Sequence, residues 1–367
     1  MPKLKKLSKY IKVGFDKVGN HIKTDIYLKT KLCEPKPLKV YYLISNKCNF
    51  KCQMCPQWLW GLQENTKEYL SLEKVKSIID EMVKLKIGEF GISGGEPLIY
   101  KDKVLELLAY ANSKKIYTHF VTNGSLLTKE ILDSYDQVGG GHVSVSLDGL
   151  GQKHDELRGF PGAFTAVEKV LNLFQNNKFN NLNLKINTVL TNNNLDEIIA
   201  VVNLAIKNKA MIFIQPFDPY AYGQKNIIYR QNNFPLWVKK ENYSKLKQIV
   251  DELLALKKKH PTIILNDEKN IIAFYNYFTD ENFYTQCFAG LDQIAVMPQG
   301  EVSFCKFGEY GDLKITSLKD FLQSQARKKV LQQSLVCQEG CLLGCMFRPS
   351  LFSLFSNGFK QLLKLSK

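Results

Sequence analysis

The chain has 367 residues, 45% of them hydrophobic, and a formal net charge of +15. That length allows two domains or one large domain with an appendage, and the apolar content supplies a sizeable core. No run of about twenty apolar residues exists, which excludes a membrane-spanning helix. The basic N-terminus lacks the apolar stretch of a secretory leader, so the nine cysteines are expected in a reducing cytosol, as metal sites rather than disulfides.

The charge sits at the two ends. Residues 1–32 carry nine lysines against Asp16 and Asp25, a net of +7, and residues 346–367 carry Arg348, Lys360, Lys364 and Lys367 with no acid. Within the first segment, Leu4, Leu7, Ile11, Phe15, Val18 and Ile22 recur at helical spacing among lysines. Residues 1–37 are therefore read as a basic amphipathic extension. It either lies on an anionic membrane surface or packs on the body with its lysines solvated.

From Lys39 to Pro216 the pattern alternates strand and helix. The run Lys39–Ser45 reads as a strand. Ser71 is placed as the N-cap of a helix that carries Val75, Ile78, Ile79, Met82 and Val83 on one side. Further strands are expected at 89–93, 116–121, 142–147, 182–190 and 211–215, with helices between them. Six βα-type repeats imply a parallel sheet in an α/β fold.

Directly after the first strand stand Cys48, Cys52 and Cys55, spaced C-x3-C-x2-C. Thiolates are soft ligands that select iron–sulfur clusters, zinc or Cu(I). Three ligands leave one coordination position open, and an open position is where substrates bind. A partial zinc site is the bland alternative.

This motif resembles that of the radical S-adenosylmethionine (radical SAM) enzymes, with Met54 where the family usually has an aromatic residue. The resemblance implies a six-stranded partial (β/α)6 barrel over residues 38–220. It also implies a 4Fe–4S cluster on Cys48, Cys52 and Cys55, with S-adenosylmethionine (SAM) chelating the open iron. One electron from the reduced cluster then breaks the sulfonium bond, and the resulting 5′-deoxyadenosyl radical abstracts a hydrogen atom from substrate. Gly94-Gly95-Glu96-Pro97 matches the family's GGEP motif, whose backbone carbonyls, with Glu96 nearby, accept from the SAM ammonium. Ser146-Leu-Asp148-Gly149 and the downstream Arg158 resemble a SAM-contacting segment, in which the serine and the arginine bind the SAM carboxylate and nearby polar groups. Asn123 resembles a ribose contact, and Val189 lies where the family brings apolar backbone to the adenine. No catalytic base is assigned.

Residues 221–284 are read as a helical connecting segment. After it the cysteines return as Cys287, Cys305, Cys337, Cys341 and Cys345. Residues 285–347 resemble a SPASM or shorter twitch domain, a small cysteine-rich unit that holds auxiliary 4Fe–4S clusters. One four-cysteine cluster fits, on Cys287, Cys305 and two of Cys337, Cys341 and Cys345, with Cys341 and Cys345 favoured. Zinc would take four thiolates equally well. The tail 348–367 repeats the basic amphipathic character of the start.

The reading is a radical SAM enzyme acting on an unknown substrate, a peptide or protein by frequency in this architecture. An electron donor such as flavodoxin or ferredoxin is implied. A lipid-linked or sugar-type small substrate at the membrane surface is the alternative. A non-catalytic iron–sulfur or zinc-binding protein is the alternative from another class. Nucleic acid is not expected as a partner, because the basic residues concentrate in the tails. The expected location is the cytoplasm, with the inner face of the membrane open as a docking site.

Overall fold

The computed structural model describes residues 18–32, 34–63, 68–219, 234–305, 308–338 and 340–342. Six strands follow one another in parallel: β1 (Lys39–Leu43), β2 (Glu89–Ser93), β3 (Tyr117–Thr122), β4 (Gly141–Ser146), β5 (Leu182–Leu190) and β6 (Met211–Pro216). They form the expected partial barrel. Each lies beside its predecessor, as consecutive βα units dictate.

The alternation along β1 sorts its side chains between two faces. Val40 and Tyr42 are fully buried and join the core with Val75 and Ile79, while Lys39, Tyr41 and Leu43 are half-buried on the other face. That inner face is polar. Lys39 and His119 both approach the Glu89 carboxylate, at 3.7 and 3.6 Å, and the rings of His119 and His142 stack at 4.4 Å.

Helix α1 spans 18–30, and α2 (Gln57–Gln63) follows the cysteine loop. The connections of the barrel hold α3 (Leu72–Lys84), α4 (Lys101–Ser113), α5 (Lys129–Gln137), α6 (Gly151–Arg158), α7 (Ala163–Asn176) and α8 (Ile198–Lys207). Ser71 caps α3 as expected, accepting from Lys74 N. Val83 does not join the buried stripe of α3; it is 43% exposed, and Val75, Ile78, Ile79 and Met82 alone turn inward.

Beyond β6 come α9 (Tyr243–Lys259) and α10 (Glu268–Thr279). The segment preceding α10 covers the β6 edge with a single bridge, Ile212 to Ile264. Ile212 N–H donates to Ile263 O at 2.8 Å, and the Asn266 amide accepts from Ile214 N and donates to Ile214 O. A side-chain amide here stands in for a missing strand.

The C-terminal segment joins the barrel's own sheet. Strand β7 (Gln293–Val296) pairs in parallel with β1, and β8 (Glu301–Cys305) and β9 (Gly308–Asp312) continue it antiparallel. Helices α11 (Leu318–Gln323) and α12 (Gln325–Val336) follow.

The described part of the N-terminal extension packs on this segment. Tyr27 is buried with Leu291 and Leu331, Asn20 donates to Asp292 at 3.0 Å, and the buried Arg327 donates to Pro35 O and pairs with Glu34. Of the expected apolar stripe, Val18 is half-buried and Ile22 is 46% exposed, while Asn20, Thr24 and Tyr27 are buried. Leu4, Leu7, Ile11 and Phe15, and the tail 348–367, lie outside the described residues.

Candidate active site

Cys48, Cys52, Cys55, Gly94, Gly95, Glu96, Pro97, Asn123, Ser146 and Arg158 stand at or just past the C-terminal end of a parallel strand, or on a loop or helix that follows one, where α/β barrels place their chemistry. The cysteine loop and the GGEP turn are zipped by their backbones. Gly95 N donates to Ser45 O at 2.7 Å, and Glu96 N donates to Lys47 O at 2.9 Å. A Cβ on Gly95 would stand 2.1 Å from Lys47 O, and one on Gly94 would stand 2.4 Å from Ser45 O. The glycines therefore serve the approach of one loop to the other.

Glu96 is 1% exposed and uses both carboxylate oxygens. Leu98 N, Thr122 Oγ1 and Asn123 N donate to it at 3.0, 2.8 and 2.8 Å. Burial raises its pKa to about 7, against the pull of those three donors. Pro97 opens the 3-10 turn that Glu96 caps. Asn123 in turn donates to Asn49 Oδ1 at 2.9 Å, tying the third strand's turn to the cysteine loop.

Cys48, Cys52 and Cys55 share one apolar cluster with Phe50, Met54, Leu157, Phe160 and Val189, in which Phe50 and Phe160 stack at 4.2 Å. Met54 is 8% exposed and fills its place as a large apolar side chain. Burial pushes the Cys48 thiol up to about 12 and raises Cys52 and Cys55 as well. Such thiols become ligands only when a metal's charge replaces the proton. Among the described residues no three His, Cys, Asp or Glu side chains surround a single-ion position. A 4Fe–4S cluster is held by thiolates on separate irons, so a common pocket suffices, and the donor set fits that group.

Arg158 reaches this pocket from the end of α6. Its Nη1 lies 3.9 Å from Cys52 Sγ, and its Nη2 pairs with Asp148 Oδ2 at 2.6 Å. The buried Nε has no partner among the described residues, so one donor of the fork is left over for an anionic ligand. Asp148 is fully buried and its other oxygen accepts from Val189 N at 2.8 Å. Asn194 donates to both Asp148 O and Val189 O. His154 Nδ1 accepts from Asp148 N at 3.1 Å, and burial with the nearby Arg158 keeps that imidazole neutral. Ser146 is half-buried at the end of β4, in register with Asn187. The supporting roles of Asp148, His154 and Asn194 were missed by sequence reasoning. Asp148 had a visible signal, an acid at a strand end beside a glycine.

In the C-terminal segment, Cys287 and Cys341 are buried and Cys337 is half-buried. Burial raises the Tyr284 phenol, with further upward pushes from Cys287 and Cys337. Thr285 donates to Cys341 O at 3.1 Å. The side chain of Cys305 and all of Cys345 lie outside the described residues.

Residues 42–205 match the sequence pattern of the radical SAM superfamily. The chain therefore contains a radical SAM domain. It is similar to an Fe-coproporphyrin III synthase of Methanosarcina barkeri, 35% identical over 36% of the chain and 33% of the relative. It is 24% identical to a GTP 3′,8-cyclase of Clostridium perfringens over 80% of the chain and 87% of the relative. It is 30% identical to the mycofactocin maturase MftC of Mycolicibacterium smegmatis, over 51% of the chain and 46% of the relative. The chain thus spans a third to a half of the first and last of these. Among solved structures it resembles Streptococcus suis SuiB bound to the precursor peptide SuiA, with a TM-score of 0.63, 15% identity and coverage of 90% of this chain and 79% of that one. This last likeness is one of fold.

Proposed function

We propose that this chain reductively cleaves SAM at a 4Fe–4S cluster held by Cys48, Cys52 and Cys55, and abstracts a hydrogen atom from a peptide or protein substrate. The observation that carries the first half is the unpartnered Arg158 Nε beside the buried Cys52, in an apolar pocket that the half-buried Cys48 and Cys55 share. The similarity to MftC, a maturase, supports the substrate class.

Bound cluster and SAM would supply one-electron cleavage of the sulfonium carbon–sulfur bond and a carbon radical that takes hydrogen from substrate. The chain's own residues do the rest. Arg158 holds an anionic ligand group, Val189 and Asn123 line the adenosyl end, and Glu96 holds the loops in register. Phe50, Phe160 and Met54 exclude water. Ser146, at the end of β4, supplies a further polar contact.

An auxiliary 4Fe–4S cluster in a SPASM or twitch-like domain over residues 285–347 would use Cys287, Cys305 and two of Cys337, Cys341 and Cys345. A small-molecule substrate is the second reading, because the GTP 3′,8-cyclase likeness runs over 80% of the chain. Among the described residues no helix is long and apolar enough to cross a membrane.

The test is 5′-deoxyadenosine release by the anaerobically reconstituted protein under a strong reductant, beside a Cys48/Cys52/Cys55→Ala triple variant. Release that vanishes in the variant supports the reading. Equal release from both proteins sinks it.

A further inference from the structure

Helix α2 begins two residues after Cys55 and reads Gln-Trp-Leu-Trp-Gly-Leu-Gln, with no charged residue. Leu59, Trp60 and Leu62 are 40%, 44% and 66% exposed. Large apolar side chains grouped outward on one short helix mark an interaction surface rather than scatter. The helix is not free to roll them inward. Gly61 lies so close to the loop before Cys48 that a Cβ there would meet Asn46 O at 2.5 Å. Gln57 Nε2 also donates to Asn46 Oδ1 at 3.1 Å.

Two exposed lysines, Lys47 and Lys51, belong to the same loop, and Lys51 Nζ lies 6.0 Å from the Trp58 ring centroid. Residues 46–62 contain these two lysines and no acid. An apolar centre of Trp and Leu with a basic rim is the anatomy of a docking surface for an acidic partner. Its place says which partner. Leu59 N and Trp60 N both donate to Pro56 O, so the surface is one helical turn from a cluster thiol. A peptide bound for hydrogen abstraction has to reach the SAM pocket of Arg158 and Val189. A molecule that only delivers an electron needs no more than nearness to the thiols.

We infer that Trp58, Leu59, Trp60 and Leu62, rimmed by Lys47 and Lys51, dock a small acidic one-electron carrier protein of the flavodoxin kind. The inference rests on the reductive reading proposed above. At this surface the carrier's flavin would lose one electron, and a cluster held by Cys48, Cys52 and Cys55 would gain it. No bond is made or broken there and no proton moves.

The experiment uses the full-length reconstituted protein and oxidised flavodoxin as the probe, with binding read by titration calorimetry. A Trp60→Ser/Leu62→Ser variant and a Lys47→Glu/Lys51→Glu variant are compared with wild type. Expected are saturable wild-type binding that weakens about tenfold when salt rises from roughly 0.05 to 0.5 M, and a loss of at least about tenfold in each variant. With limiting reduced flavodoxin as donor, 5′-deoxyadenosine formation falls by the same factor in the variants. With dithionite as donor it stays within about twofold of wild type. Unchanged flavodoxin binding in both variants overturns the inference. So does an equal fall with dithionite, which would make the patch part of the SAM or substrate site. So does loss of binding to phosphatidylserine vesicles with flavodoxin binding intact, which would make it a membrane contact. Absence of product from every protein under dithionite would sink the reductive reading itself, while the calorimetric comparison still decides whether the surface binds the carrier.

Discussion

Arg158 Nη2 lies 2.6 Å from Asp148 Oδ2, and the carboxylate is wholly buried. Asp148 also accepts from Val189 N, so one side chain positions both the guanidinium and the backbone expected to flank SAM. Removing one partner of a buried pair leaves an uncompensated charge, which costs roughly 3–5 kcal/mol. Asp148→Asn keeps the shape and loses the charge. It should lower stability by an amount of that order and weaken SAM binding at least about tenfold, read by thermal melts and by calorimetry on the reconstituted protein. Arg158→Lys keeps the charge but loses the planar fork. It should weaken SAM binding as much while costing less stability.

Glu96 gives a pH signature. Its carboxyl titrates near 7 in the folded protein, above the ordinary 4.5. The folded state therefore binds the proton more tightly, and Glu96's contribution to stability is full below about 4.5 and lost as pH rises through about 7. Glu96→Gln removes the titration. The melting temperature of the SAM-free wild type, measured against that of the variant, should fall steadily from pH 5 to pH 8. A difference that is flat across this range contradicts the assignment.

Gly95 and Gly88 separate two kinds of glycine. A methyl at Gly95 meets Lys47 O at 2.1 Å, whereas one at Gly88 meets nothing within 4 Å. Gly95→Ala should destabilise by roughly 2 kcal/mol or more, in the range of overpacking, and should lower cluster incorporation. Gly88→Ala should leave both within error. Chemical denaturation and iron assays on the two variants check this.

How much of this could be read from the chain depended on distance along it. The cysteine loop, the six βα units and the Ser71 cap are local patterns, and the structure contains them. The network around the site is not local. Glu96 is tied to Asn123, Val189 to Asp148 and Asn194 to Asp148 across separate turns, and no periodicity announces such partners. On α1, helical spacing shows which side chains align and not which face finds a partner. Tyr27 found Leu291 and Leu331, and Ile22 found solvent.

Metal content should count the sites. Two 4Fe–4S clusters give roughly eight irons and eight sulfides per chain. Cys287→Ala should halve both, the Cys48/Cys52/Cys55→Ala variant should also halve them, and the combination should abolish them. Single alanine variants of Cys337, Cys341 and Cys345 then identify the spare thiol as the one whose loss leaves the iron count unchanged.

Arg327 fastens the N-terminal extension. It is buried and donates to Pro35 O at 2.6 Å and Leu322 O at 3.2 Å. Arg327→Leu strands those carbonyls, at roughly 1–3 kcal/mol for each buried unsatisfied group. The variant should melt lower and be cut faster between residues 18 and 36 under limited proteolysis. Unchanged cleavage would show that α1 is held without it.

The pairing of β7 with β1 has a consequence for synthesis. β1 is made well before its second neighbour, which follows about 250 residues later. Until then the strand that carries Cys48, Cys52 and Cys55 keeps one bare edge, a template for pairing with other nascent chains. A chain stopped before Gln293 would keep all three of those cysteines and still lack the strand that seals their platform. Such a fragment should aggregate on expression, and it should be rescued by supplying residues 285–342 in trans only if β7 can still dock. The later-made β7 would then act as the clasp for β1.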